Sequence, residues 1–190
     1  MKSKHGIVKI NKENWRQIVV DALFNTLSLA SSSRLLLKEN MKENKDVVFE
    51  QPHVAAGLYL FAIEEYGKAL ILEDYEDNNG KIEVKYRDEF RNHNKKFEKA
   101  LANLPEKCKM LYKGSFGRGF GKGFDIDEFA SLENRMSIFY SDLNEKGNVN
   151  ILPQVDSEKL QDCLNEFIEI VENHLASFNI QNPHGNYTKT

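Results

Sequence analysis

Apolar positions recur at helical spacing along most of the chain. From residue 14 to about residue 40 they fall at Trp15, Ile18, Val19, Ala22, Leu23, Leu27, Ala30 and Leu37, which predicts a long amphipathic helix. Asn14-Trp15-Arg16-Gln17 has the polar-x-x-Gln form of a capping box at its start. The run Ser31-Ser32-Ser33 lies inside this helix with no G-x-S-x-G context and no histidine at a matching spacing, so it reads as small-residue packing or solvent exposure. A polar stretch, 41 to 51, returns the chain to a second helix.

That second helix, predicted over 53 to 77, is the most apolar part of the molecule and the element the rest is organised around. Pro52 suits a first helical position, and Asn78-Asn79-Gly80 supplies a stop. Apolar nearly all round, it predicts burial on several sides, so the charges at its centre, Glu64, Glu65 and Lys68, need partners. A third helix is expected from about 82 to 104, ended by Pro105, with Phe90, Phe97, Ala100, Leu101 and Leu104 on its stripe and His93 among them. If the two helices form an antiparallel hairpin turning about residue 79, equal rise per residue places Glu65 opposite His93. Lys68 is expected to share a face with Glu64 at i,i+4 spacing.

Residues 106 to 112 can form a turn or two of helix, leading into a Gly/Phe-rich loop at 114 to 124. Its glycines alternate and include no G-x-x-x-x-G-K-[ST], so it is no P-loop. Arg118 and Lys122, interleaved with phenylalanines, fit either single-strand nucleic-acid binding or a loop anchored by its aromatics. Asp125-Ile-Asp-Glu128 opens a further helix carrying Phe129, Leu132 and Met136, which gives way near Asn144. A last helix after Asp156 shows Leu160, Leu164, Phe167, Ile168, Val171, Leu175 and Phe178 at a clean helical period. His174 shares that face and reads as structural.

With 41% hydrophobic residues, a chain of 190 residues can bury one sizeable core. Only four prolines occur, and period-2 runs with Asn-Gly hairpin turns are nearly absent, so the expected class is all-α. The expected organisation is a flexible segment at 1 to 13, one helical domain at 14 to 178 and a flexible tail at 179 to 190. The N-terminus has no apolar core of a signal peptide, and the longest apolar run is too short for a membrane span. Cys108 and Cys163 follow no metal or disulfide spacing and read as reduced thiols of a cytoplasmic protein. Neither a metal nor another cofactor is expected.

Net charge is −3, which argues against a generally basic coat for nucleic acid. The distribution changes that picture: residues 81 to 123 hold twelve Lys/Arg against five Asp/Glu. Such a region presents an electropositive surface to phosphate or to an acidic partner.

Three segments together resemble the abortive infection protein V (AbiV) family, within the HEPN superfamily of helical domains. They are Ala62-Ile-Glu-Glu-Tyr-Gly-Lys68, Phe90-Arg-Asn-His-Asn-Lys-Lys96, and Arg135-Met-Ser-Ile-Phe-Tyr-Ser-Asp142 followed by Pro153, with Ser141 where the family has valine. The resemblance implies an antiparallel HEPN-like bundle of about five helices that forms a homodimer. It further implies a role in bacterial anti-phage defence, halting growth or translation of the infected cell. Many HEPN domains are metal-independent ribonucleases with an Arg-x(4 to 6)-His motif, in which His transfers a proton at the 2′-hydroxyl and Arg stabilises charge on the phosphate.

Arg87 and His93 match that spacing, with Glu65 oriented toward His93 in the hairpin reading. Glu64, Lys68, Arg91, Lys96, Arg118, Lys122, Arg135, Tyr140 and Asp142 are the candidate binding residues. The implied partners are a phage-encoded activator or target and RNA or the translation machinery, with no membrane. A second reading is a non-catalytic dimer that binds a phage protein and blocks translation, with Glu64, Glu65, Lys68, His93 and Lys96 as a structural polar cluster. A third, a nucleotide-modifying or nucleotide-sensing module, lacks a transferase in this chain.

Overall fold

The computed structural model describes residues 7–40, 52–75, 81–85, 92–109 and 157–178. The described elements are β1 (Ile7–Asn11), α1 (Lys12–Asn40), α2 (Pro52–Glu73), β2 (Lys81–Lys85), α3 (His93–Asn103), α4 (Glu106–Lys109) and α5 (Ser157–Ser177). The molecule is mostly helical, with α1, α2, α3 and α5 packed together. Among the described residues, no helix is long and apolar enough to cross a membrane.

The cap of α1 lies three residues before the expected Asn14, and the helix begins at Lys12. Asn11 Oδ1 accepts the backbone N–H of Asn14 at 2.8 Å, so Asn11 ends β1 and caps α1 in the same residue. Polar positions inside α1 are satisfied locally or across the seam. Thr26 donates to the Ala22 carbonyl at 2.8 Å, and the buried Ser33 donates to the Ala55 carbonyl at 2.6 Å.

The apolar length of α2 is explained by neighbours on several sides. Its buried residues Ala55, Tyr59, Ala62, Ile63, Ala69 and Leu72 join one core with Val19, Leu23 and Ala30 of α1, Phe97 and Ala100 of α3, and Leu164, Phe167 and Val171 of α5. α1 and α2 run antiparallel: Ser33 meets Ala55 near one end of the pair, and Trp15 Nε1 donates to the Leu72 carbonyl at 2.7 Å near the other. α5 runs in the same sense as α2, with Phe167 in T-shaped contact with Tyr59 and Tyr66 and His174 meeting Glu73. Arg16 at the start of α1 lies over the Phe178 ring and donates to its carbonyl.

Two expectations differ from the structure. Residues 82 to 85 are not the start of a helix: Lys81–Lys85 is a strand pairing antiparallel with Ile7–Asn11, with Val8 opposite Val84 and Ile10 opposite Ile82. The class is mostly helical, as expected, with one small sheet. The cause is topological. Because α1 begins beside the end of α2, the residues before α1 and after α2 are brought together, and Ile82 is buried in the pairing at 1% exposure.

The second is the expected antiparallel hairpin of the second and third helices. Contacts between α2 and α3 ascend together: Glu64 with His93 and Lys96, Gly67 with Lys96, and Asp74 with Lys99. The two helices therefore run in the same sense where they touch. The helix expected at 125 to 144 and the Gly/Phe-rich loop lie outside the described residues.

Candidate functional site

The site is built at the crossing of α2 and α3. Asn92 caps α3 by accepting the Lys95 N–H at 3.3 Å, which makes His93 the first residue of the helix. His93 Nδ1 lies 2.6 Å from Glu64 Oε1, and Lys96 Nζ lies 2.6 Å from that same oxygen. The Glu64 and Lys96 side chains are 8% and 7% exposed, whereas the His93 side chain is 44% exposed. A buried carboxylate thus joins a buried ammonium to a half-exposed imidazole.

Glu64, not Glu65, is the partner of His93. Adjacent helical residues point about 100° apart, so only one of the pair can face α3. The hairpin premise selected the wrong one because α3 does not fold back antiparallel on α2. Glu65 instead accepts from Lys68 Nζ at 3.1 Å on the partly exposed side of α2. Lys68 accordingly pairs at i,i+3 with Glu65, and not at i,i+4 with Glu64.

The crossing is close because Gly67 has no side chain. A Cβ there would stand 1.8 Å from the Lys96 carbonyl oxygen, so glycine lets the backbone of α3 come near enough for Lys96 and His93 to share one carboxylate. A carboxylate accepts, so Nδ1 of His93 carries the proton that it donates to Glu64. In the neutral ring the lone pair then sits on Nε2.

Of the other candidate residues, Arg87, Arg91, Arg118, Lys122, Arg135, Tyr140 and Asp142 lie outside the described residues. Among those described, no cluster of His, Cys, Asp and Glu is arranged to hold a metal ion.

Two features were not anticipated. His174 Nε2 meets Glu73 Oε1 at 2.8 Å, with the Tyr66 ring perpendicular to the imidazole. Burial, aided by the charge of Glu73, pushes the Tyr66 hydroxyl up to about 12. The second feature is a cavity of about 520 Å³ lined by Ile71, Asp74 and Tyr75 of the α2 end and by Lys95, Glu98 and Lys99 of α3. The signal for it was the i,i+4 pair Lys95 and Lys99, but which helix end it faced depended on a packing direction that periodicity does not encode.

Comparison of the chain with family models, curated proteins and solved structures finds no match.

Proposed function

We propose that this protein is a bacterial anti-phage abortive-infection protein of the HEPN type that arrests the infected cell by metal-independent cleavage of RNA. The observation that carries the reading is the 2.6 Å contact between Glu64 Oε1 and His93 Nδ1. A carboxylate that fixes the imidazole tautomer leaves Nε2 as the basic atom of a half-exposed ring, the arrangement a general base requires. His93 takes the proton of a 2′-hydroxyl while that oxygen bonds to the adjacent phosphorus. The bond from phosphorus to the 5′-oxygen breaks, and the departing oxygen takes up a proton, leaving a 2′,3′-cyclic phosphate and a 5′-hydroxyl. Arg87 stabilises the charge on the phosphate in this reading, a role that comes from its spacing to His93. A homodimer brings two such sites together.

The test is cleavage of single-stranded RNA in the presence of EDTA, with end-group analysis of the products. Wild-type protein is expected to give cyclic-phosphate ends, and His93→Ala to slow cleavage about a hundredfold or more. Full cleavage and full toxicity of His93→Ala would exclude the mechanism.

A second reading is favoured by the burial of the Glu64–Lys96 pair. Here the cluster only fixes the register of α2 and α3, and a non-catalytic dimer blocks translation by binding after it meets a phage protein. Absence of cleavage both with and without a phage-encoded activator supports this alternative.

A further inference from the structure

We propose that the cavity between the end of α2 and the outer face of α3 is a nucleotide subsite that holds one base and one phosphate of a single-stranded RNA. This inference rests on the RNA reading above and adds to it where the strand is gripped. The cavity, about 520 Å³ and widely open to solvent, has room for one nucleotide unit. Ile71, 9% exposed, is the apolar residue of the lining, and Tyr75, which packs against the core and is half-buried, lines the cavity with the part of its side chain that stays exposed, where a base can meet it.

The charged rim narrows the class of ligand. Lys95 and Lys99 stand one turn apart on α3, and Lys99 Nζ is held by Asp74 at 2.5 Å. Lys95 is exposed and reaches the same cavity. Asp74 and Glu98 offset the two ammonium groups, so a polyphosphate would bring more negative charge than this rim can balance. A nucleotide unit with a single bridging phosphate fits better: Lys95 meets the phosphate, while Asp74 and Glu98 accept hydrogen bonds from an exocyclic amine or a ribose hydroxyl. Lys95 and Lys99 lie two and six residues beyond His93, roughly 3 and 9 Å along the helix axis. They are turned about 200° and 240° around α3 from His93, so the cavity opens on a different face of the helix from the imidazole, and a strand that meets both must pass around α3.

The experiment uses the full chain carrying His93→Ala, so that RNA is bound without being cut, and follows fluorescence anisotropy of a labelled single-stranded oligoribonucleotide. Adding Tyr75→Leu is expected to raise Kd about tenfold, while Tyr75→Phe keeps the ring and the affinity. Adding Lys95→Ala is expected to weaken all sequences alike and to lower the salt slope by about one. Thermal midpoints of each variant confirm that it is folded. Competition with the four nucleoside monophosphates separates the sources of the ligand. Displacement of the oligonucleotide supports the subsite, and monophosphate binding with no oligonucleotide binding assigns it to free nucleotide.

Unchanged affinity in both Tyr75→Leu and Lys95→Ala overturns the proposal, as does equal competition by inorganic phosphate, which would reduce the site to a charge contact. The RNA-cleavage reading fails separately, when wild-type protein binds the oligonucleotide through Tyr75 and Lys95 but releases no cyclic-phosphate product.

Discussion

Glu64 Oε1 serves two donors of different kinds, and the balance between them decides what its loss does. Lys96 Nζ and His93 Nδ1 are each 2.6 Å away, but only the lysine is buried with it. Taking one member from a buried pair leaves an uncompensated charge, whereas replacing both with groups of similar volume is much less damaging. Lys96→Met is therefore expected to lower unfolding free energy by about 3 kcal/mol, and Glu64→Gln combined with Lys96→Met to recover a good part of that loss. Urea denaturation of the two single variants and the double variant measures this; a strictly additive result would show that the pair is not coupled. At this scale the sequence was only half legible. That charges in the centre of α2 needed partners followed from its apolar surroundings, and His93 was the right partner. Which of two adjacent glutamates faced it could not be read, because a 100° choice depends on the direction of α3.

Elements were legible where one face alone is buried. α1 and α5 show a 3.6 period, cleanest in α5, because water covers their other side. The strands were missed for a physical reason that the sequence does contain. Lys81-Ile-Glu-Val-Lys85 alternates strictly, but five residues preceding an amphipathic stripe are easily absorbed into it, and its partner at 7 to 11 is distant in sequence. Gly67 is the element-scale feature with the sharpest consequence. A methyl group there must push aside the Lys96 carbonyl oxygen, 1.8 Å away, and backbone yields far less readily than a side-chain tip. Gly67→Ala is expected to destabilise by about 3 kcal/mol or more despite its better helix propensity. Circular dichroism on thermal unfolding checks this, and a stabilised variant would mean that α3 does not cross at this point.

The docking of α4 on α5 gives an independent prediction. Cys163 Sγ donates to the Lys107 carbonyl at 3.1 Å, and Cys108 Sγ lies 3.9 Å from the Cys163 carbonyl. Burial, reinforced by Glu166 and Cys163, pushes the Cys108 thiol from near 9 up to about 12. Burial also pushes Cys163 up to about 11, with Lys107 opposing. Both thiols keep their protons in the folded chain at a pH where the unfolded chain has lost them. Their contribution to stability is thus complete below about pH 9 and is lost as the pH rises toward 11 and 12. Unfolding free energy should fall with pH in this window, less steeply in a Cys108→Ala/Cys163→Ala variant. Equal slopes would show that the two thiols do not titrate differently on folding.

At the scale of the whole molecule, the small sheet joins the two ends of the α1–α2 pair, and that is a claim about architecture that a truncation can test. Trp15 ties the start of α1 to the end of α2 through the Leu72 carbonyl, so β1 and β2 extend a contact that the helices have already made. Lys9 and Glu83 face each other across the strands at 2.6 Å, but both are largely exposed and add little. The apolar side carries the weight: Ile10 packs against the core and Ile82 is almost fully buried. Removing residues 1 to 10 while keeping Asn11 preserves the cap of α1 and uncovers Ile82. Exposure of one such side chain, with loss of Ile10, is expected to lower unfolding free energy by about 2 to 4 kcal/mol with helix content retained. An unchanged denaturation midpoint would make the sheet an ornament of the fold; a lower midpoint with normal helicity would establish it as the clasp that holds the start of α1 against the end of α2.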